Sequence, residues 1–164
     1  MELQQQAATD PLTTLYNRRR MEDILKNHIA ANPTENFSIA IGDIDFFKKV
    51  NDTYGHNCGD QVLTDLAKLF KEKTLGLGHV CRWGGEEFLF FFPGLNLDEA
   101  SALMDNIRLA VSDLTIVYKD VSLHVTMTFG LEEYDYHSSP SEMVKHADDK
   151  LYYGKTNGRD TVIF

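Results

Sequence analysis

The chain has 164 residues, with 25 acidic against 16 basic side chains and a formal net charge of -9. That length fits one globular domain. The acidic balance excludes a general DNA- or RNA-coating role, which needs a basic face, but it is compatible with a nucleotide substrate whose phosphates are neutralised by bound divalent metal. No apolar run approaches the roughly 20 residues that span a bilayer, and no basic segment leading into an apolar stretch marks a signal peptide. Cys58 and Cys81 lack metal-type spacing and read as reduced thiols.

In chain order, the polar opening MELQQQAATD reads over residues 1–9 as the tail of an upstream linker or signalling helix, with the domain proper running over 10–164. Met21, Ile24, Leu25 and Ile29 recur at helical spacing and predict a helix over 17–31, ended by Asn32-Pro33. FSIAIGDIDFF alternates as a strand, and a short helical turn follows through KKVNDTYG. Val62, Leu63, Leu66, Leu69 and Phe70 define a helix over 60–74. HVCRW and EEFLFFF are apolar runs joined by Gly84-Gly85, a hairpin signal. Leu103, Met104, Ile107 and Val111 predict a helix over 97–113, VSLHVTMTFGLEEY a strand, SEMVKHADDKLYYGKT a helix and TVIF a closing strand. The central hairpin makes the sheet mostly antiparallel, so the fold class is α+β, with five strands flanked by helices.

Three stretches carry chemistry-bearing side chains. In GDIDFFKK, Asp43 and Asp45 are two apart, so on a strand they share a face, with the Ile44 carbonyl between them. Carboxylates beside a carbonyl suit a hard cation such as Mg²⁺, and the N–H groups of Phe46, Phe47 and Lys48 open a helix where phosphate can sit. Read alone, the same stretch also fits one aspartate capping the helix and the other solvated. Glu86 and Glu87 follow the glycine pair and run into aromatic residues that must be buried. Adjacent glutamates are costly without a cation near them, and a metal pair can clamp the attacking and leaving oxygens of a phosphoryl displacement. In YYGKTNGRD, Lys155 and Arg159 either complement a helix dipole or reach a triphosphate. No GxxxxGK[ST] motif occurs.

Taken together and in this order, the motifs resemble the GGDEF family of bacterial diguanylate cyclases. DPLTTLYNRR is similar to the family's DxLTGLxNRR, with Thr14 where glycine is usual. DIDFFKKVNDTYGHNCGDQVL resembles its DxDxFKxxND…GHxxGDxxL block, RWGGEEF is its signature in the Glu-Glu form, and HADDKLYYGKTNGRD resembles ADxALYxAKxxGRN, with Asp149 and Gly154 where alanine is usual. The resemblance implies a palm-like sheet and the conversion of two GTP into cyclic di-GMP and two pyrophosphates across a homodimer. It implies that Asp43, the Ile44 carbonyl and Glu86 hold Mg²⁺ or Mn²⁺, two ions per site, with Glu87 beside them. It assigns Asn51 and Asp60 to the guanine edge. Phe46, Phe47 and Lys48 go to phosphate, with Lys48 counted among the catalytic set, and Lys155 and Arg159 to the terminal phosphates. A cytoplasmic location, where GTP is, and a sensor domain upstream follow from the same likeness; contact with nucleic acid or membrane does not.

One departure stands out. Many family members carry an inhibitory RxxD site shortly before the signature, and here Leu75 and Gly78 take its arginine and aspartate positions. The alternative to an active cyclase is a silent GTP-binding module. The intact carboxylates and cations argue against it.

Overall fold

The computed structural model describes residues 7–164. Eight strands and five helices follow one another: β1 (Tyr16–Asn17), α1 (Arg18–Ala31), β2 (Phe37–Ile44), α2 (Phe47–Tyr54), α3 (His56–Thr74), β3 (His79–Arg82), β4 (Glu87–Pro93), α4 (Leu97–Asp113), β5 (Ile116–Tyr118), β6 (Val121–Leu123), β7 (Met127–Glu133), α5 (Pro140–Thr156) and β8 (Val162–Ile163). The main sheet has the order β1-β3-β4-β2-β7-β8, and β5-β6 form a separate two-stranded ribbon. The four inner strands pair antiparallel, while β1 and β8 add short parallel edges.

The α+β, mostly antiparallel expectation holds, but the main sheet has six strands rather than five. The sixth, β1, is two residues long and abuts the N-cap of α1, too short for any alternation to announce it. The single strand expected over VSLHVTMTFGLEEY is two, β6 and β7, separated by His124–Thr126. The linker tail expected over residues 1–9 falls for residues 1–6 outside the described residues. Ala7 and Thr9 fold back on β1, through Asn17 Nδ2 donating to the Ala7 carbonyl at 2.9 Å and a bridge from Thr9 to Tyr16.

The sheet is covered on both faces, which explains the continuous apolar run in β4. Phe88, Phe90 and Phe92 point to one face and pack with Val62, Leu66 and Phe70 of α3 and Met104 and Ile107 of α4. Leu89 and Phe91 point to the other, against Met21 and Leu25 of α1 and Met143, Ala147 and Leu151 of α5. Phe70 meets Phe88 and Phe90 edge-on, both at 5.0 Å between ring centroids. Each buried phenyl contributes about 1.5–3 kcal/mol, so this one strand anchors both layers. All eight residues of β2 are buried. Its small residue Gly42 is needed, because a Cβ there would overlap the Phe129 ring. Gly154 answers to the same logic: a methyl at this position would press on the Thr128 side chain, so glycine lets the end of α5 lie close on β7. Capping boxes at Asn96 and Ser139 start α4 and α5.

Candidate active site

The register of the inner strands brings the predicted carboxylates together. Asp43 near the end of β2 pairs directly with Glu87, the first residue of β4, and the Ile44 N–H donates to the Glu86 carbonyl at 3.4 Å. Gly84 and Gly85 do not adopt positive φ, so the hairpin is not a tight glycine turn. The loop Trp83–Glu86 is closed by the Trp83 N–H donating to the Glu87 carbonyl at 2.8 Å, and a Cβ at Gly84 would sit 2.7 Å from Glu87 Oε1. Arg82 grips the loop from beside it. Its Nε and Nη2 donate to the Gly85 carbonyl at 3.1 and 2.8 Å, and its Nη1 pairs with Asp10 at 3.3 Å. The DPLTTLYNRR segment thus holds the hairpin tip that presents Glu86.

The carboxylates crowd one another. Burial raises the pKa of Glu86, and the neighbouring Asp43 and Glu87 raise it further while Lys155 opposes. Glu87 is raised first by burial, then by Asp43 and Asp148, against Lys155 and Arg18. Lys155, in the last turn of α5, ion-pairs with Asp43 Oδ2. The other oxygen, Asp43 Oδ1, is buried without a partner. An orphaned carboxylate oxygen beside two raised carboxyls is a hard-oxygen donor set in need of a cation. Among the described residues no three His, Cys, Asp or Glu side chains form a metal-binding cluster by themselves. Mg²⁺ does not require one: it is commonly held by one or two carboxylates plus substrate phosphates. The residues present fit such an ion.

Beyond the carboxylates lies a pocket of about 480 Å³, lined by Asp43, Ile44, Phe46, Phe47, Lys48, Lys49, Asp52, Glu86, Lys155 and Arg159. Its volume lies in the range of small-molecule sites. α2 opens into it. The N-cap, Phe46, has left-handed backbone (φ 57°) and no side-chain capping bond, so the first N–H groups of the helix have no side-chain acceptor. Phe46 is 61% exposed whereas Phe47 is buried, so Phe47 reaches the pocket mainly through its backbone. Lys48 pairs with Asp52 at 3.1 Å on the surface, and the Arg159 guanidinium lies 4.7 Å over the Phe46 ring. Carboxylates, uncapped N–H groups and the Lys48, Lys155 and Arg159 cations around one pocket suit a metal-bound polyphosphate.

Asn51, Asp60 and Glu87 do not line this pocket. Asn51 is on α2 and half-buried, with its Oδ1 lacking a partner; Asp60 is exposed near the start of α3. Gly59 packs against Asn51, where any Cβ would overlap Oδ1. The structure therefore groups Asp43, Ile44, Phe46, Phe47, Lys48, Glu86, Lys155 and Arg159 in one cavity; of the other three, Glu87 adjoins it as the cross-strand partner of Asp43, and Asn51 and Asp60 lie outside its lining. Sequence reasoning missed Lys49 and Asp52 on the wall, and it placed Asp45 beside Asp43 as a potential ligand. Asp43 and Asp45 do share a face, both meeting the 155–160 segment, but the Asp45 oxygens are occupied by Thr126, Thr128 and the Asp160 N–H.

A mixed sheet that gathers carboxylates at a hairpin tip beside an uncapped helix start and two cations is a site for a metal-bound nucleotide phosphate. The model of the family described as "Diguanylate cyclase, GGDEF domain" matches residues 7–161, and the chain belongs to that family. Diguanylate cyclase A of Treponema denticola is 35% identical over 98% of this chain and 45% of its own length. The response regulator PleD of Caulobacter vibrioides is 36% identical over 96% of this chain and 36% of its own. The chain thus spans less than half the length of these relatives. Among solved structures, the GGDEF domain of DgcB from Caulobacter crescentus, in complex with c-di-GMP, aligns with TM-score 0.91 at 31% identity, covering 98% of this chain and 96% of that one. The diguanylate cyclase SiaD of Pseudomonas aeruginosa, in complex with its activator SiaC, aligns with TM-score 0.92 at 34% identity, covering 99% and 63%. No helix among the described residues is long and apolar enough to cross a membrane.

Proposed function

We propose that residues 10–164 are a diguanylate cyclase domain that condenses two GTP into cyclic di-GMP and two pyrophosphates. The observation that carries this reading is the orphaned Asp43 Oδ1 facing a pocket shared by Glu86, the uncapped start of α2, Lys155 and Arg159. Asp43, the Ile44 carbonyl and Glu86 hold two Mg²⁺ or Mn²⁺ ions. When bound, these supply Lewis-acid stabilisation of charge on the phosphoryl oxygens.

The chain's own groups orient the nucleotide. The Phe46, Phe47 and Lys48 N–H groups and the Lys48 ammonium bind phosphate, Lys155 and Arg159 bind the terminal phosphates, and Lys155 leaves Asp43 to do so. Asn51 and Asp60 accept the guanine N1–H and N2–H₂, a donor pair adenine lacks. Two copies face each other. The 3′-oxygen of one GTP bonds to the α-phosphorus of the other, the bond from that phosphorus to the bridging oxygen breaks, and pyrophosphate departs. Glu87, the cross-strand partner of Asp43, takes the 3′-hydroxyl proton. Repetition with the roles exchanged closes the ring. In the parent protein a sensor domain regulates it, and the domain works in the cytoplasm, on GTP.

Incubating the protein with GTP and Mg²⁺ over a range of protein concentrations, with products identified by mass spectrometry, tests the reading. Cyclic di-GMP formed at a rate rising more steeply than linearly in protein is the expected result. Metal-dependent GTP binding without product at any concentration would establish the silent binding module instead.

A further inference from the structure

Asp45 directly follows β2 and is engaged at both carboxylate oxygens. Thr128 Oγ1 donates to its Oδ1 at 2.7 Å, Thr126 Oγ1 to its Oδ2 at 2.7 Å, and the Asp160 backbone N–H to Oδ2 at 3.0 Å. The side chain is 1% exposed. These donors take up most of its acceptor sites, so Asp45 is a strut rather than a free ligand. What it holds is strained backbone. Gly158, Arg159 and Asp160 have φ of 108°, 59° and 46°, all left-handed. Two consecutive non-glycine residues persist there only when their surroundings impose it. A second anchor comes from α4: Arg108 Nη1 donates to Asp160 Oδ1 at 2.9 Å and to its carbonyl at 3.4 Å. Asp160 is therefore gripped from two sides. Between the grips, Arg159 lies stacked on Phe46, with Nη1 3.9 Å from Asp45 Oδ1.

We infer that Asp45 is a positioning residue: together with Arg108 it clamps the Gly158–Asp160 turn and so holds the Arg159 guanidinium over the pocket, ready for the terminal phosphates. The inference rests on the phosphate role proposed above for Arg159. Its physical content is preorganisation. A long, rotamer-rich cation fixed before binding loses less entropy when phosphate arrives. Asp45→Asn keeps size and shape but puts an amide donor among three donors, and the Asp160 N–H, unlike a hydroxyl, cannot turn to accept.

The test measures binding of 3′-deoxy-GTP, which has no attacking hydroxyl, and of GMP, both with Mg²⁺, by calorimetry. Arg159→Ala is expected to weaken the triphosphate about ten-fold while leaving GMP within about two-fold. Asp45→Asn and Arg108→Ala are each expected to reproduce a loss of at least about five-fold, sparing GMP, and to add less than about two-fold on the Arg159→Ala background. A purely structural role would weaken both ligands alike and would add in full. If Arg159→Ala responds while Asp45→Asn and Arg108→Ala keep the triphosphate preference, or if their losses add in full, the clamp is wrong and the phosphate role stands. If Arg159→Ala has no effect, both are overturned. Should Asp45→Asn fail to fold, Arg108→Ala decides alone, since Arg108 lies outside the pocket.

Discussion

Asp43 and Glu87 are direct cross-strand partners in the antiparallel register of β2 and β4. Like charges set opposite each other destabilise a sheet, and Glu86 adds a third carboxyl to the same corner. Burial first, and then Asp43, pushes Glu87 above its ordinary value of 4.5. A raised carboxyl binds its proton more tightly in the folded than in the unfolded chain. The folded state therefore loses stability as pH rises from the ordinary carboxylate value through the raised one. Glu87→Gln removes that loss. Its metal-free melting temperature should exceed that of the unmodified chain by about 1–3 °C near neutral pH, with the gap closing near pH 4. Mg²⁺ should narrow the gap, because a bound cation offsets the repulsion. Cyclic di-GMP formation should fall by about 100-fold or more in Glu87→Gln and in Asp43→Asn while both stay folded. Thermal melts at the two pH values and a product assay decide it. Equal melting temperatures throughout would remove the crowding argument.

Gly59 and Asn51 interlock at the junction of α2 and α3. A methyl at position 59 would overlap Asn51 Oδ1, an atom that is buried and has no partner within the protein. Gly59→Ala should therefore displace Asn51. On the guanine role proposed for Asn51, guanine selection should weaken, with KM for GTP rising about ten-fold and the preference over ATP shrinking. Binding of inorganic pyrophosphate with Mg²⁺ should stay within about two-fold, since the phosphate end of the pocket is untouched. Competition assays against ATP and pyrophosphate read the two effects apart.

How much of this was written in the sequence depends on distance along the chain. The helices of α1, α3, α4 and α5 announced themselves through apolar periodicity, and the hairpin through its glycines and its aromatic run. Spacing alone left Asp43, Glu86, Lys155 and Arg159 open to structural roles, and the resemblance of their motifs to the GGDEF family is what singled them out. The two-residue β1 and the three-residue β5 are below the length at which alternation is visible, and β6 ran together with β7 in one alternating stretch. The difference between Asp43 and Asp45 was equally hidden. The two are neighbours on one face, and only partners about 80 to 115 residues away separate an orphaned oxygen from a saturated one. Gly84-Gly85 marked the right hairpin for a reason other than the one assumed, since neither glycine uses positive φ.

Thr14 occupies left-handed backbone with φ 61°, a conformation that suits glycine and penalises a β-branched residue. Its hydroxyl accepts from Lys71 Nζ at 2.5 Å, an exposed bond of small value. Thr14→Gly releases about 1–2 kcal/mol of strain and gives back under about 1 kcal/mol through the freer unfolded chain. A net gain of up to about 1 kcal/mol is expected, seen as a higher denaturant midpoint with unchanged slope. A lower midpoint would mean that the Lys71 contact outweighs the strain.

Leu75 and Gly78 stand where an inhibitory arginine and aspartate are usual, and they differ in what they permit. Leu75 is 84% exposed, so arginine fits there without cost. Gly78 is pinned by its N–H to the Thr74 carbonyl at 3.0 Å, and a Cβ on it would overlap the Phe91 carbonyl oxygen in β4. That neighbour is backbone in a buried strand and cannot swing aside. Leu75→Arg should leave the melting temperature unchanged, while Gly78→Asp should cost about 1–3 kcal/mol through overpacking. Product titrated onto the unmodified chain should show no low-micromolar binding at this turn. The Leu75→Arg/Gly78→Asp double variant should not create it either, because the aspartate cannot be seated without moving the strand behind it. Tight cyclic di-GMP binding by the double variant, with stability retained, would show that the turn and β4 can move apart by about an ångström here.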